Sequence, residues 1–177
     1  MRRITLILLL AVCTPWGLAA AATPGEVPIG GVLKPAQLRG LNGPSRPLAG
    51  FRGKPLIINV WASWCGPCRA EMASLERLAW HDEAKKFAII GISTDDYIDK
   101  ARAWLTDSNA TIYQFIDTEL QMENMLGASR LPLTVLVDGK GRVLEKIYGA
   151  REWDSPEALR LIARTFAEPG AVRPRQP

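Results

Sequence analysis

Cys65 and Cys68 stand three residues apart, separated only by Gly66-Pro67 and preceded by Trp64. Two thiols at this spacing can exchange disulfides, hold a soft metal ion or carry a covalently attached haem. As a structural staple the pair would do little, because the loop it closes is too short to restrict the unfolded chain. Haem attachment requires a histidine directly after the second cysteine, and that residue is Arg69. A metal knuckle requires further ligands, and the single histidine, His81, lies at the far end of the helix predicted to begin at the motif. A peroxidase site would need a threonine three residues before the nucleophilic cysteine, where Ala62 stands. The pattern therefore points to thiol–disulfide chemistry.

This chemistry depends on what positions the thiols. Residues 56–61 form a nearly continuous, β-branched apolar run, the signature of a strand buried on both faces. A helix is predicted over 67–81, with Met72, Leu75, Leu78 and Ala79 at helical spacing and Glu71, Glu76 and Arg77 between them. Cys65 then stands at the helix N-terminus, where unpaired N–H groups and the helix dipole favour a thiolate, the nucleophilic form. Pro67 suits the first turn, where its missing N–H costs little. Cys68 lies one turn in, more buried and within reach of the Cys65 sulfur. Glu71 lies one turn further on the same face. Spacing alone leaves it open between a solvated helix glutamate and an acid–base group whose pKa would rise on desolvation, and the helix position is read as largely solvent-accessible.

The remaining chain alternates similarly. A second buried strand is expected over 87–93, a helix from near Asp96 through 101–105, and a short strand over 112–116. A helix over 119–126 is stopped by Gly127. A third core strand over 133–137 turns through Asp138-Gly139-Lys140-Gly141 into a return strand over 143–148. Ser155 caps a last helix opened by Pro156 and running to about 167. Asn42-Gly43 marks a small hairpin within 38–48. This order gives an α/β fold with a mixed central sheet flanked by helices. Met122 and Met125 read as core residues, and His81 as a surface residue at a helix end.

The chain has 177 residues, 47% hydrophobic and 23% charged, enough for one domain with tails. Its net charge of +4 includes Arg2, Arg3, Arg173 and Arg175 near the ends, and no basic stripe marks a nucleic-acid binder. A positive start, an apolar run over 4–12 and an alanine-rich stretch ending at Ala22 fit a secretory signal peptide over 1–22. The competing readings are a retained membrane anchor and a lipoprotein modified at Cys13. Residues 23–37 read as an N-terminal arm, 38–167 as the domain and 168–177 as a disordered, proline-rich tail.

Trp64-Cys65-Gly66-Pro67-Cys68, within the longer stretch from Asn59 through Arg69-Ala70-Glu71-Met72, resembles the extracytoplasmic TlpA/ResA group of thioredoxin-like reductases. Leu131-Pro132-Leu133-Thr134 before the hairpin, and an extra strand and helix over roughly 112–127, share that resemblance. It implies a thioredoxin fold with a strand–helix insertion, a redox-active Cys65–Cys68 disulfide, and no cofactor or metal. It also implies a cis peptide before Pro132, which would turn the backbone of Leu131 towards the cysteines for substrate binding. Trp64 would form part of the partner surface, and Glu71 would be the active-site acid in place of the buried aspartate that cytoplasmic thioredoxins carry at the position of Asn59. Leu131 replaces the β-branched residue common before that proline.

The implied protein is a monomeric periplasmic reductase of protein disulfides, re-reduced by an inner-membrane thiol donor. The substrates implied are apocytochrome c and copper-site assembly proteins. A disulfide-forming oxidant, and a metallochaperone holding Cu(I) on the same two thiolates, stand as alternatives. For the leader, protein recovered from the periplasm is predicted by intact mass to begin after the alanine cluster. A retained Met1 would mark an anchor, and a diacylated Cys13 a lipoprotein.

Overall fold

The computed structural model describes residues 23–167; the leader expected over 1–22 and the disordered tail expected over 168–177 lie outside them. Seven strands and four α-helices follow one another as β1 (Gln37–Gly40), β2 (Arg46–Pro47), β3 (Leu56–Trp61), α1 (Gly66–Trp80), β4 (Ala88–Ser93), α2 (Ile98–Ser108), β5 (Tyr113–Ile116), α3 (Gln121–Leu126), β6 (Leu133–Val137), β7 (Val143–Tyr148) and α4 (Pro156–Ala167). They build one mixed sheet in the order β2-β1-β5-β4-β3-β6-β7. β3, β4 and β5 are mutually parallel, whereas β6 pairs antiparallel with β3, and β7 with β6. This is the expected α/β, thioredoxin-like architecture, with β5 and α3 as the extra strand and helix.

Every residue of β3 is buried. Its period-2 alternation divides the core: Ile57 and Trp61 face one layer, Leu56, Ile58 and Val60 the other. The first layer is filled by Met72, Leu75 and Leu78 of α1, Ala101 and Leu105 of α2, and Leu161 and Ile162 of α4. The second holds Met122, Met125 and Leu126 of α3, together with Val27 and Leu33 of the arm. The arm has no periodicity because it is held by backbone bonds to other elements: Val27 N–H donates to Met125 O (2.8 Å) and Leu33 N–H to Gly141 O (2.8 Å). Gln37, assigned above to the arm, opens β1.

Several boundaries differ by a residue or two from those expected. α3 starts at Gln121 rather than at 119 because Leu120 adopts the left-handed conformation (φ 54°), which no α-helix can include. α2 starts at Ile98 rather than near Asp96, and β5 at Tyr113 rather than at 112. Gly127 ends α3 with a positive φ of 73°, as its residue type suggested. Asn42 holds the first hairpin against β5, its Oδ1 accepting from Gln114 N–H (2.9 Å).

Gly91, in the middle of β4, leaves room for the side chain of Gln114 on β5. Gln114 is buried; its Oε1 accepts from the Trp61 indole N–H (2.8 Å), and its amide group lies 3.7 Å from Met72 Sδ. A Cβ at position 91 would overlap that carboxamide. Gly91→Ala is therefore predicted to break the Trp61–Gln114 bond and lower stability by about 1–3 kcal/mol, as overpacking does. Urea denaturation followed by tryptophan fluorescence would check this, and an unchanged midpoint would refute it.

Candidate redox site

The site begins where β3 hands over to α1. Cys65 is the N-cap of α1, in extended conformation, and its Sγ accepts from Cys68 N–H at 3.2 Å. Pro67 falls in the first turn, where no intrahelical donor is lost. The two sulfurs are joined in a disulfide, with a Cα–Cα separation of 5.3 Å. Cys65 keeps 5% of its surface exposed and Cys68 none, so an attacking or attacked partner meets Cys65. Trp64 turns outward and is 72% exposed, although it directly precedes the buried thiol pair.

The loop that presents Cys65 is fixed from below by a residue that sequence reading did not single out. Asp95, buried at the end of β4, accepts from Ser63 N–H (2.8 Å), Ser63 O–H (2.6 Å) and Ser93 O–H (2.7 Å). Thr94 N–H also donates to Trp61 O (2.9 Å). The parallel pairing of β3 and β4 brings these chain ends together. The only available signal was an Asp-Asp pair following an apolar strand, which by itself suggests a solvated turn.

The peptide bond between Leu131 and Pro132 is cis. Leu131 is half-buried and packs against the core cluster that contains both cysteines. Pro132 O accepts from Gly149 N–H (2.9 Å), tying this turn to the end of β7.

Glu71 is 1% exposed, which corrects the solvent-accessible helix position expected from sequence. The helix face that carries Cys68 and Glu71 is covered by β3 and by the segment before α4. Glu71 Oε1 accepts from Asn59 Nδ2 (2.7 Å), and Oε2 accepts from Arg151 N–H and the Trp153 indole N–H (both 3.1 Å). Asn59 Nδ2 also donates to Thr134 Oγ1 of β6 (3.1 Å). Ser74 reinforces the junction: its hydroxyl lies 2.7 Å from Glu71 O and accepts from Trp153 N–H (2.9 Å). Trp153 and Ser74 belong to the site and were missed, since a lone tryptophan in a loop and a serine within a helix carry no pattern. Burial raises the Glu71 pKa above its ordinary value, and the hydrogen bonds from Asn59, Trp153 and Arg151 offset only part of that rise.

Met122 and Met125 lie in the core, and His81 caps the C-terminal end of α1 on the surface. Among the described residues no cluster of three or more His, Cys, Asp or Glu is placed to hold a metal ion, and no helix is long and apolar enough to cross a membrane.

The burial of Glu71 makes stability depend on pH. Its folded pKa lies above the unfolded value, near 4.5, so the folded state retains a proton that the unfolded chain has lost. The stabilisation is complete below the unfolded value and is lost as pH rises through the folded value. With the disulfide intact, so that neither thiol titrates, the wild type is predicted to lose stability relative to Glu71→Gln across that window. Urea denaturation of both proteins over a pH series measures this; a constant difference would place Glu71 in solvent.

Residues 33–162 match the Redoxin family. The thiol:disulfide interchange protein DsbE of Vibrio cholerae is 36% identical over 122 residues, covering 67% of this chain and 64% of the relative. The protein of the same name from Pseudomonas aeruginosa is 33% identical over 132 residues, covering 71% of each chain. The chain spans only about half the length of several further relatives of this name. A Chlorobium tepidum crystal structure, a candidate DsbE, is alike in fold, with a TM-score of 0.71 at 24% identity over 78% of this chain and 98% of its own. With the family match spanning most of the chain and the cysteine pair at the head of α1, this protein belongs to the Redoxin family and has a thioredoxin-like fold.

Proposed function

We propose that this protein is an extracytoplasmic thiol–disulfide oxidoreductase that reduces disulfides in partner proteins. The observation that carries this reading is the Cys65–Cys68 disulfide at the N-terminus of α1, with Cys68 fully enclosed and Cys65 at the surface. The relatives named thiol:disulfide interchange proteins support the same chemistry.

In the reduced protein the Cys65 thiolate attacks a partner disulfide. One partner sulfur leaves as thiolate, and a mixed disulfide forms. Cys68, its proton taken by Glu71 or by a nearby water, attacks Cys65 Sγ. This breaks the mixed disulfide, releases the second partner thiol and leaves the internal disulfide, two electrons having passed to the partner. The helix N-terminus supports the Cys65 thiolate, because Cys68 N–H already points at its sulfur. By the sequence resemblance, the backbone of Leu131 would meet an extended partner segment, and exposed Trp64 would provide an apolar contact beside the reacting sulfur. A membrane thiol donor returns two electrons. Apocytochrome c and copper-site assembly proteins are the partner classes that the sequence resemblance supports.

Equilibration against glutathione buffers is predicted to place the pair at the reducing end, nearer about −270 mV than about −120 mV. A value at the oxidising end would turn the protein into a disulfide-forming oxidant. Cys68→Ser in the native host is expected to accumulate partners disulfide-linked to Cys65, which identifies the substrates. Glu71→Gln is expected to slow reduction by at most about tenfold to a hundredfold, the usual size of a proton-transfer contribution. An unchanged rate would remove Glu71 from the mechanism.

A further inference from the structure

Asn59, on β3 and hydrogen-bonded to Glu71, has one amide atom paired twice and the other not at all. It is fully buried. Nδ2 donates to Glu71 Oε1 and to Thr134 Oγ1, whereas Oδ1 has no donor within reach. An unpaired acceptor in a closed core is costly, and few persist without a reason. In this orientation the surroundings of Glu71 consist of donors alone: the Asn59 amide, the Arg151 backbone N–H and the Trp153 indole N–H. Such a cage suits an ionised carboxylate, which only accepts.

The same cage offers a protonated Glu71 no acceptor unless something turns. Oε2 is held by two N–H groups, neither of which can accept, so an added proton sits on Oε1, whose hydrogen-bonding neighbour is the Asn59 amide. With Nδ2 on that side, the buried O–H finds no acceptor. Turning the amide over about its terminal torsion resolves this. Oδ1 then accepts from the Glu71 O–H and also faces Thr134, whose hydroxyl switches from accepting to donating. The orphaned acceptor gains two donors, and Nδ2 becomes the unpaired atom. Each orientation leaves one amide atom without a partner, so the hydrogen-bond count favours neither strongly. The proton decides between them.

We propose that Asn59 is a proton-coupled positioning residue whose side-chain amide turns over each time Glu71 gains or loses a proton, so that the buried acid is accommodated in both states without rearrangement of the fold. The inference deepens the reading of Glu71 as the proton acceptor for Cys68 and rests on it for its catalytic meaning. The elements packed around Glu71 bring few other titratable groups to it. Cys68 on α1 is tied up in the disulfide when oxidised. Arg151 presents its backbone, while its guanidinium lies 3.7 Å from Glu157. β3 and β6 contribute the neutral Asn59 and Thr134.

The test is NMR of the labelled, disulfide-bonded protein. The Glu71 carboxyl carbon is followed against pH together with nuclear Overhauser contacts from the Asn59 side-chain N–H protons to Thr134. Those contacts are expected at high pH and should be lost at low pH with the same midpoint as the carboxyl titration. In Glu71→Gln the neutral amide must present its NH2 group to Asn59, so Asn59 is expected in the low-pH orientation at every pH. Thr134 contacts that persist through the Glu71 titration, or that survive in Glu71→Gln, overturn the proposal. So does a Glu71 that holds one protonation state over the whole range in which the protein stays folded. The two readings fail separately. If Asn59 turns as expected while Glu71→Gln reduces substrate at the wild-type rate, the amide switch stands and Glu71 is no proton acceptor. If the rate falls while Asn59 stays fixed, the acceptor stands without the switch.

Discussion

A carboxyl group enclosed beneath a disulfide is the constraint on which this structure turns. Taking an ionised carboxylate out of water costs several kcal/mol unless donors surround it. Here three donors do so, and each comes from a different part of the chain than α1, which carries Glu71: Asn59 from β3, and Arg151 and Trp153 from the segment before α4. The bond from Ser74 to that segment adds a fourth attachment. Meeting the needs of one side chain therefore locks the active-site helix against the central strand and against the approach to the last helix. These bonds tie the turn of α1 that follows Cys68 to β3 and to the segment before α4.

The mouth of the site is held by a different device. β3, β4 and β5 run parallel, so their C-terminal ends emerge along one edge of the sheet. Asp95 at the end of β4 grips the loop before Cys65 through both the backbone and the hydroxyl of Ser63, and Asp117 at the end of β5 is tied to Ser93 by its N–H (2.8 Å). A loop anchored from below in this way can expose Trp64 without becoming loose. The fold thereby separates the roles of two adjacent residues, an exposed indole and a sulfur that is barely accessible.

The architecture was legible in the sequence because its strands and long helices are strongly patterned. β3 and β6 match the residue ranges expected from their apolar runs, and Ser155 caps α4 as its type suggests, accepting from Ala158 N–H (3.2 Å). The cysteine pair was legible because its spacing has few competing explanations. The surroundings of Glu71 were not. Helical spacing placed the residue on the face of Cys68, but whether that face meets solvent depends on Trp153 and Arg151, some eighty residues away in the chain. Burial of a charged residue is a tertiary fact, decided by what packs over it. Asp95 was missed for the same reason: a strand-end aspartate looks solvated until a neighbouring strand delivers Ser63 to it.

The choice of amide at position 59 follows from the position of the acid. In cytoplasmic thioredoxins the strand carries the carboxylate; here the helix does. A carboxyl group at 59 would lie 2.7 Å from Glu71, the separation of the present hydrogen bond. Two buried carboxylates at that distance cannot both ionise, so one proton would remain trapped between them. An amide has nearly the same shape, carries no charge and presents a donor on one side and an acceptor on the other. It places no second carboxyl beside Glu71. If Glu71 is the acid, as we propose, a neutral partner on the strand that can both donate and accept, as Asn59 can, avoids that conflict.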